Sequence, residues 1–250
     1  LVIEVEGERT GEFLDRLERE RPPAAVVLAR EVSVLAPAGY SRFEILASDP
    51  AEERTAAVLP DLATCPDCLR ELFDPANRRH EYPFTNCTQC GPRYSIVLDI
   101  PYDRPNTTMR SFALCPACRR EYTQPSDRRF HAQPNACPVC GPRLTIERAD
   151  SAQLQGTPAP DETPESYSVG NPAIRDAASA LARGEIVALK GIGGFQLLVD
   201  ARNEAAVARL RRLKRREEKP FALMLPDVDS VRACAELSPE EERVLRSPAA

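Results

Sequence analysis

The chain has 250 residues, with 33 lysines and arginines against 38 aspartates and glutamates, and therefore a formal net charge of −5. Its length suggests about two domains, and its acidic balance argues against a dedicated binder of double-stranded RNA or DNA. No apolar run approaches the ~20 residues that a membrane-spanning helix needs, so no membrane association is expected. Because Leu1 already begins a strand-like pattern and the chain ends as abruptly, we expect it to be part of a longer protein.

The first 48 residues predict a strand, a helix and a further strand. Residues 1–7 alternate apolar and charged side chains over most of their length, as a half-buried strand does. Thr10 can cap a helix that carries an apolar face and ends before two prolines. Residues 43–46 predict another short strand. This order is half of a small α/β sandwich, and none of its residues suggests catalysis.

Eight of the nine cysteines form four C-x-x-C pairs between residues 65 and 140. The gaps between successive pairs are 18, 24 and 18 residues. The pattern Cys-Pro-x-Cys-x-Arg-Glu at residues 65–71 recurs at 115–121, and Cys-Gly-Pro-Arg at residues 90–93 recurs at 140–143. These matches indicate an internal duplication, so each half is expected to fold on its own plan.

The spacing of the cysteines is typical of zinc binding. Two C-x-x-C knuckles can complete a tetrahedral site of four thiolates, which leaves no position for water or substrate and makes the zinc structural. Each repeat is too short to bury much apolar surface, so the metal replaces a core. The repeat favours sequential pairing and predicts two zinc ions, one held by Cys65, Cys68, Cys87 and Cys90, the other by Cys115, Cys118, Cys137 and Cys140.

Other uses of these cysteines fit less well. Disulfides suit secreted mini-proteins, whereas no signal peptide begins this chain and C-x-x-C pairs are typical of intracellular zinc modules. Sets of four cysteines also hold iron–sulfur clusters, but a duplicated pair of evenly spaced knuckles favours zinc. Because zinc binding requires reduced thiols, we expect the protein to lie in the cytoplasm. His80 and His131 occupy different positions in the two repeats and are expected to be surface or packing residues.

A linker and a new domain follow the zinc repeats, which we assign to residues 60–150. Residues 94–100, between the repeats, predict a short strand. Residues 151–172 are rich in proline, glycine, serine, threonine and acidic residues and predict a flexible or extended linker. A second folded unit is predicted over residues 173–250.

The new domain alternates helices with strands. Asn171, Asn203 and Ser238 would each cap a helix. A further helix over residues 227–236 would bury the thiol of Cys234, the ninth cysteine. Apolar runs predict strands at residues 186–189, 196–200 and 221–225.

Two features of this domain suggest an anion site. A glycine-rich turn follows the first of these strands, and glycines let backbone N–H groups approach phosphate oxygens closely. The helix after Asn203 ends in a dense basic cluster, which the helix macrodipole favours and which could be only a solvated surface. Together, the two features could instead hold a triphosphate or a similar anion. The candidate nucleotide-binding residues are Lys190, Gly191, Gly193, Gly194, Lys214, Arg216 and Lys219.

Three features closely resemble the HypF family, the carbamoyltransferases of nickel–iron hydrogenase maturation. They are the spacing of the C-x-x-C pairs, the two Cys-Gly-Pro-Arg motifs, and the glycine turn followed by Lys-Arg-Arg-Glu-Glu-Lys-Pro at residues 214–220. The resemblance covers essentially the whole chain. It implies an α+β multidomain fold with the last part of an acylphosphatase-like α/β sandwich at 1–48, four-cysteine zinc-finger-like modules at 65–90 and 115–140, and the first part of a YrdC-like α/β domain at 173–250.

The resemblance also implies an activity. In this family carbamoyl phosphate is hydrolysed, and the carbamate reacts with ATP, with Mg²⁺, to give carbamoyl-adenylate and pyrophosphate. The carbamoyl group then passes to the C-terminal cysteine of a partner maturation protein, where it becomes the source of cyanide. Lys214 and Arg216 match the family's phosphate-contacting pair, with Lys219 close by, and residues 190–194 match the loop that borders the site.

One residue departs from the family pattern. Gln196 stands where a histidine usually follows Gly-Gly-Phe, so no role is carried over to this side chain. The resemblance places the catalytic loop of the acylphosphatase-like domain, the later YrdC-like residues and the transfer domain outside this chain. The chain alone is therefore expected to turn over poorly or not at all.

Two other functions stay open. A zinc-based protein-interaction or chaperone-like module would use the same cysteine repeats as a scaffold, without the pattern of residues 173–250. A threonylcarbamoyl-adenylate synthase for tRNA modification would use a YrdC-like domain, although that family's domain usually lacks tandem zinc modules. A third class, a nucleic-acid binder, would need basic, aromatic-rich fingers, whereas this chain as a whole is acidic.

Overall fold

The computed structural model describes residues 2–21, 25, 27, 29–46, 58–148, 167–216 and 218–248. Helix α1 (Thr10–Arg19) is the only helix or strand among those described up to residue 46, and its predicted apolar face is half-buried. The strands predicted at residues 1–7 and 43–46 do not form in the part described, so those predictions are wrong there. A strand needs a neighbour to pair its backbone groups, and this part of the structure describes none.

Two short helices open the two cysteine repeats. In α2 (Pro66–Phe73) and in α3 (Pro116–Thr123), proline takes the first helical position after a cysteine. Proline suits this position because its fixed φ is helical and its missing N–H would lack an intrahelical partner anyway. The strand predicted at residues 94–100 is wrong, because this connection folds into single 3-10 turns at Tyr94–Ile96, Arg104–Asn106 and Thr108–Ser111.

The two repeats are interlocked, which corrects the expectation that each folds on its own plan. The guanidinium of Arg79, in the first repeat, is 2% exposed and donates to the carbonyl of Ala136 at 2.9 Å and to Glu121 at 2.6 Å. Arg129, at the equivalent position of the second repeat, donates to the carbonyl of Asn86 at 3.0 Å and to Glu71. Each repeat therefore supplies a buried cation whose partners lie in the other.

A small apolar cluster lies between the repeats. Tyr82, Met109 and Ala136 form its buried part, and three half-buried side chains pack against it: Phe84, Ile96 and Phe112. Arg104 secures the connecting segment by donating to the carbonyls of Gln133 and Asn135 at 2.6 and 2.9 Å. This core is small, as expected for a unit in which metal sites replace apolar packing.

A two-stranded sheet joins the zinc repeats to the following helix. Strand β1 (Thr145–Glu147) pairs antiparallel with β2 (Tyr167–Val169), and α4 (Asn171–Ala182) begins after Gly170. Regular structure thus resumes inside the predicted linker 151–172, and the helix cap is Gly170 rather than the predicted Asn171. The side chain of Asn171 instead donates to the carbonyl of His80 at 3.2 Å, and thereby attaches α4 to the first repeat.

A β-hairpin and a capped helix follow α4. Strand β3 (Val187–Gly191) pairs antiparallel with β4 (Gly194–Leu198), which confirms the two predicted strands with small shifts of their ends. Helix α5 (Glu204–Lys214) begins where predicted, because the side chain of Asn203 accepts a bond from the N–H of Ala206 at 3.0 Å.

The last described residues form two short helices. Helix α6 (Val228–Arg232) is shorter than the predicted 227–236, and α7 (Pro239–Leu245) carries the predicted capping box at Ser238. The strand predicted at residues 221–225 is wrong, because the structure assigns these residues to no strand. Among the described residues, none of the helices has the length and apolar character needed to cross a membrane.

We expect Glu121→Ala to destabilise the zinc repeats by about 3–5 kcal/mol, because it leaves the buried guanidinium of Arg79 without its carboxylate. Hydrogen–deuterium exchange of the amides in residues 65–140 measures this, since it reports the opening of this unit alone. The control is Arg70→Ala, which removes half of an exposed ion pair with Asp67 and should cost less than about 1 kcal/mol. Equal effects of the two variants would show that the ion pairs between the repeats add nothing to the stability of this unit.

Candidate metal centres and nucleotide site

The first group of four cysteines combines the start of α2 with a tight turn. Cys65 and Cys68 lie at the N-terminal end of the helix, and the turn is closed by a bond from the Cys90 N–H to the Cys87 carbonyl. The Sγ atom of Cys87 lies 3.7 Å from that of Cys65 and 3.8 Å from that of Cys90. Gly91 follows with a φ of +94°, a conformation that glycine adopts without strain.

The second group repeats this arrangement at the start of α3. Cys115 precedes the helix and Cys118 lies in its first turn, while the N–H groups of Cys140 and Gly141 both donate to the carbonyl of Cys137. The Sγ atom of Cys137 lies 3.7 Å from that of Cys115 and 3.8 Å from that of Cys140. The two groups thus have the same sulfur geometry.

The sulfur geometry fits a tetrahedral metal site. A metal–sulfur distance of about 2.3 Å places the corners of a thiolate tetrahedron about 3.8 Å apart, which matches the separations in both groups. Within each group all the sulfurs lie within 4.8 Å of one another. A disulfide would require a separation of about 2.0 Å. The groups are the two sets that the sequence predicted, and they support zinc binding.

Arginines from the opposite repeat lie against the sulfurs of each group. A terminal nitrogen of Arg128 lies 3.1 Å from the Sγ atom of Cys68, and one of Arg78 lies 3.2 Å from that of Cys118. A zinc ion with four thiolates carries a net charge of about −2. These guanidinium groups therefore place compensating positive charge beside the metal–thiolate centres.

The glutamates between these arginines are held in the ionised form. Burial opposes ionisation of Glu121, but hydrogen bonds from Arg79 and Arg78 outweigh it and lower the pKa of this carboxyl from 4.5 to about 2. The pKa of Glu71 is lowered in the same way by Arg129 and Arg128, again against burial. Because the folded-state pKa is depressed, this stabilisation is fully present above pH 4.5 and declines as the pH falls toward 2.

The function of these arginines is not predicted by the sequence pattern of the cysteines. The two Arg-Arg pairs bind Glu71 and Glu121 through contacts between the repeats, which only the structure shows. A usable signal was present: both partners recur with the 50-residue period of the cysteines, as Glu71 and Glu121 and as Arg78-Arg79 and Arg128-Arg129. A charged pair that repeats in register with metal ligands suggests a role at the metal centre.

The candidate nucleotide-binding residues lie on two exposed elements. Lys190, Gly191, Gly193 and Gly194 lie in the β3–β4 hairpin, and the Nζ atom of Lys190 is 5.9 Å from the centre of the Phe195 ring. The other three residues lie at the last position of α5 and in the turn that follows it. Among the described residues no hydrogen bond or ion pair joins the hairpin to this basic turn. The three candidate residues at the end of α5 and in the turn after it are Lys214, Arg216 and Lys219.

Arg211 organises the basic turn that follows α5. Its Nη1 atom donates to the carbonyls of Arg216 at 3.3 Å and Lys219 at 3.2 Å, and its guanidinium lies 4.6 Å from the centre of the Phe221 ring. Arg215 adopts the left-handed conformation, with a φ of 49°, and reverses the chain. The turn is thus held by its backbone, and the side chains of Lys214, Arg216 and Lys219 are exposed.

Two further sequence predictions concern residues outside the metal groups. Cys234 is exposed, so the prediction of a buried thiol is wrong; α6 ends before this residue, and its Sγ atom lies 3.4 Å from the carbonyl of Val231. The ring of His131 stacks on that of Tyr122, with centroids 5.0 Å apart. Among the described residues, both candidate metal groups consist of cysteines alone.

Comparisons with known proteins match the whole arrangement. The HypF finger family matches residues 64–97 and 114–147, and a family described as telomere recombination, which includes YrdC, matches residues 179–250. Carbamoyltransferase HypF2 of Cupriavidus necator is 47% identical over 97% of this chain and 29% of its own length. Carbamoyltransferase HypF of Rhizobium leguminosarum is also 47% identical, over 100% of this chain and 29% of its own length.

Two solved structures share the fold. A full-length HypF in its phosphate- and nucleotide-bound form has a TM-score of 0.77 and 43% identity, over 97% of this chain and 30% of that one. HypF of T. kodakarensis has a TM-score of 0.79 and 44% identity, over 99% of this chain and 29% of that one.

The chain belongs to the HypF family. The predicted resemblance and the α+β fold class, with tandem four-cysteine modules and a YrdC-like region, are confirmed. The chain spans 29% of the length of each of the two curated HypF relatives named above. The domain boundaries, and the assignment of residues 1–48 to an acylphosphatase-like domain, stay predictions.

We expect Cys65→Ser/Cys68→Ser to lower the zinc content from two ions per chain to one, because two remaining thiolates cannot complete a structural site. Elemental analysis of protein purified without added zinc measures this. Cys234→Ser, which alters the exposed ninth cysteine, should keep both ions and is the matched control. Two ions retained by the double variant would disprove the ligand assignment of the first group.

Proposed function

We propose that this chain contributes to carbamoyl transfer during the maturation of nickel–iron hydrogenases, in the cytoplasm. One observation carries the proposal: HypF fingers and a YrdC-like region occur together in a chain 47% identical to proteins named carbamoyltransferase HypF. The proposed substrates are carbamoyl phosphate and ATP, with Mg²⁺. The carbamoyl group would pass through carbamoyl-adenylate to the C-terminal cysteine of a partner maturation protein.

The basic turn after α5 would serve the adenylation step. A carbamate oxygen attacks the α-phosphorus of ATP, a P–O bond forms, and pyrophosphate leaves with the electrons of the broken P–O bond. Fixed cations stabilise the negative charge that develops on the phosphates. Lys214, Arg216 and Lys219 would supply those cations, from a turn that Arg211 already holds in place.

The β3–β4 hairpin would border the same phosphates. Its glycines, Gly191, Gly193 and Gly194, carry no side chain that would keep phosphate oxygens away from the backbone N–H groups. We propose that one nucleotide contacts both the hairpin and the basic turn. The nucleotide-bound relative of similar fold supports this proposal.

The zinc centres would act as structural elements and take no part in the chemistry. Each group offers four thiolates, which complete the coordination of zinc and leave no open position for a substrate. When bound, the metal supplies folding energy to a unit with a small apolar core. Neither a stand-alone interaction module nor a threonylcarbamoyl-adenylate synthase is favoured, because the relatives are carbamoyltransferases that match the fingers and the YrdC-like region together.

A chimera tests the proposed function. This chain would replace the matching segment of the Cupriavidus necator relative, and carbamoyl phosphate-dependent exchange between ATP and pyrophosphate would be measured. We expect the chimera to retain exchange and the 250-residue chain alone to show little or none. The unmodified relative and a reaction without carbamoyl phosphate are the controls. A folded chimera that holds two zinc ions but lacks exchange would contradict the proposal.

We expect Lys214→Ala/Arg216→Ala in this chimera to weaken ATP binding about tenfold or more, because each lost charged hydrogen bond is worth about 1.5–3 kcal/mol. Isothermal titration calorimetry measures the affinity. Arg243→Ala/Arg246→Ala, which removes two basic groups from α7 and its end, should leave the affinity unchanged. If both double variants bind ATP like the parent, the basic turn is only a solvated surface.

A further inference from the structure

The arginine pairs of the two repeats cross between the two metal centres. Arg128 lies 3.1 Å from the Sγ atom of Cys68 and 3.8 Å from that of Cys65, although its own repeat carries the other centre. Arg78 mirrors this contact at 3.2 Å from the Sγ atom of Cys118. Equivalent residues thus make equivalent contacts in both directions.

The neighbouring arginines extend each crossed contact to the second knuckle. Arg129 donates to the carbonyl of Asn86 at 3.0 Å, immediately before Cys87. Arg79 donates to the carbonyl of Ala136 at 2.9 Å, immediately before Cys137. Each pair of adjacent arginines therefore contacts both C-x-x-C segments of the four-cysteine group in the opposite repeat.

Two glutamates fix the positions of these arginines. Glu121, which follows Cys118 in α3, binds Arg78 at 2.7 Å and Arg79 at 2.6 Å. Glu71 binds Arg128 at 2.9 Å and also binds Arg129. A metal that orders the start of α2 or α3 thereby orders the glutamate on the same helix, and with it the arginines that come from the other repeat.

We propose that zinc loading of the two centres is coupled, because the arginine pair of the opposite repeat compensates part of the negative charge of each metal–thiolate centre. Four thiolates around zinc leave a net negative charge, and hydrogen bonds to ligand atoms hold the ligands in place and tune metal affinity. Arg78 and Arg79 position the second centre, and Arg128 and Arg129 position the first. Loss of zinc from one centre therefore weakens zinc binding at the other centre.

The test measures metal release at each centre separately. The zinc-loaded chain is mixed with a chelator and a thiol-alkylating reagent, and peptide mass spectrometry reports which cysteines become modified and how fast. Arg128→Gln should release zinc from the first group, Cys65 to Cys90, about 10- to 100-fold faster, with a smaller change at Cys115 to Cys140. Arg78→Gln should show the reverse pattern.

Control variants separate charge, fold and position. Arg110→Gln removes an exposed arginine from the segment between the repeats and should leave both release rates unchanged. Arg128→Lys keeps the charge but loses the two-pronged contact, so it should give an intermediate rate at the first group even if Arg128→Gln does not fold. Greater acceleration at the variant's own repeat than at the opposite repeat, or no change at either group, would overturn the proposal.

A second variant tests the coupling without altering any arginine. Cys137→Ser/Cys140→Ser removes the second centre, and zinc should then leave Cys65, Cys68, Cys87 and Cys90 at least several-fold faster than in the parent. An unchanged release rate at the first group would show that the two centres load independently, which would disprove the coupling.

Discussion

Ionic contacts that cross between the two cysteine repeats set the architecture of the zinc module. Arg79 and Arg129 are buried, at 2% and 3% exposure, and a buried guanidinium persists only where it is paired and hydrogen-bonded. Their carboxylate partners lie in the opposite repeat, so neither repeat could bury its arginine alone. Such pairs rarely add much net stability, but they specify how the repeats fit together, while the metals supply the folding energy.

The metal groups could be predicted from the sequence because their information is local. Two cysteines separated by two residues converge on one point whatever the rest of the fold does, and the duplication resolved which pairs belong together. The same holds for helix ends such as Asn203 and Ser238, where a side chain bonds to a backbone group within the next turn. These predictions needed no knowledge of distant neighbours.

The remaining features could not be predicted because they depend on partners far away in the sequence. Residues 1–7 have the alternation of a strand, yet a strand forms only where a neighbour pairs its backbone. Cys234 would be buried only if α6 extended to this residue and another element of the fold covered its side chain. The crossed arginine contacts join residues about 40 to 60 positions apart, and only the three-dimensional arrangement of the repeats shows that an Arg-Arg step meets the other repeat's cysteines.

The duplication also explains how one backbone conformation acquires two uses. Glu81 and His131 are equivalent positions, and both adopt a positive φ, 56° and 52°, that L-residues rarely accept. Each donates its N–H to the last turn of the preceding helix, at 2.8 and 3.0 Å, so the repeat rather than the side chain imposes the conformation. The side chains are therefore free to differ. Glu81 pairs with Arg175 of α4 at 2.7 Å, whereas His131 stacks on Tyr122 within its own repeat. The first repeat thus uses this position to attach the YrdC-like region, whereas the second repeat uses the equivalent position for packing within itself.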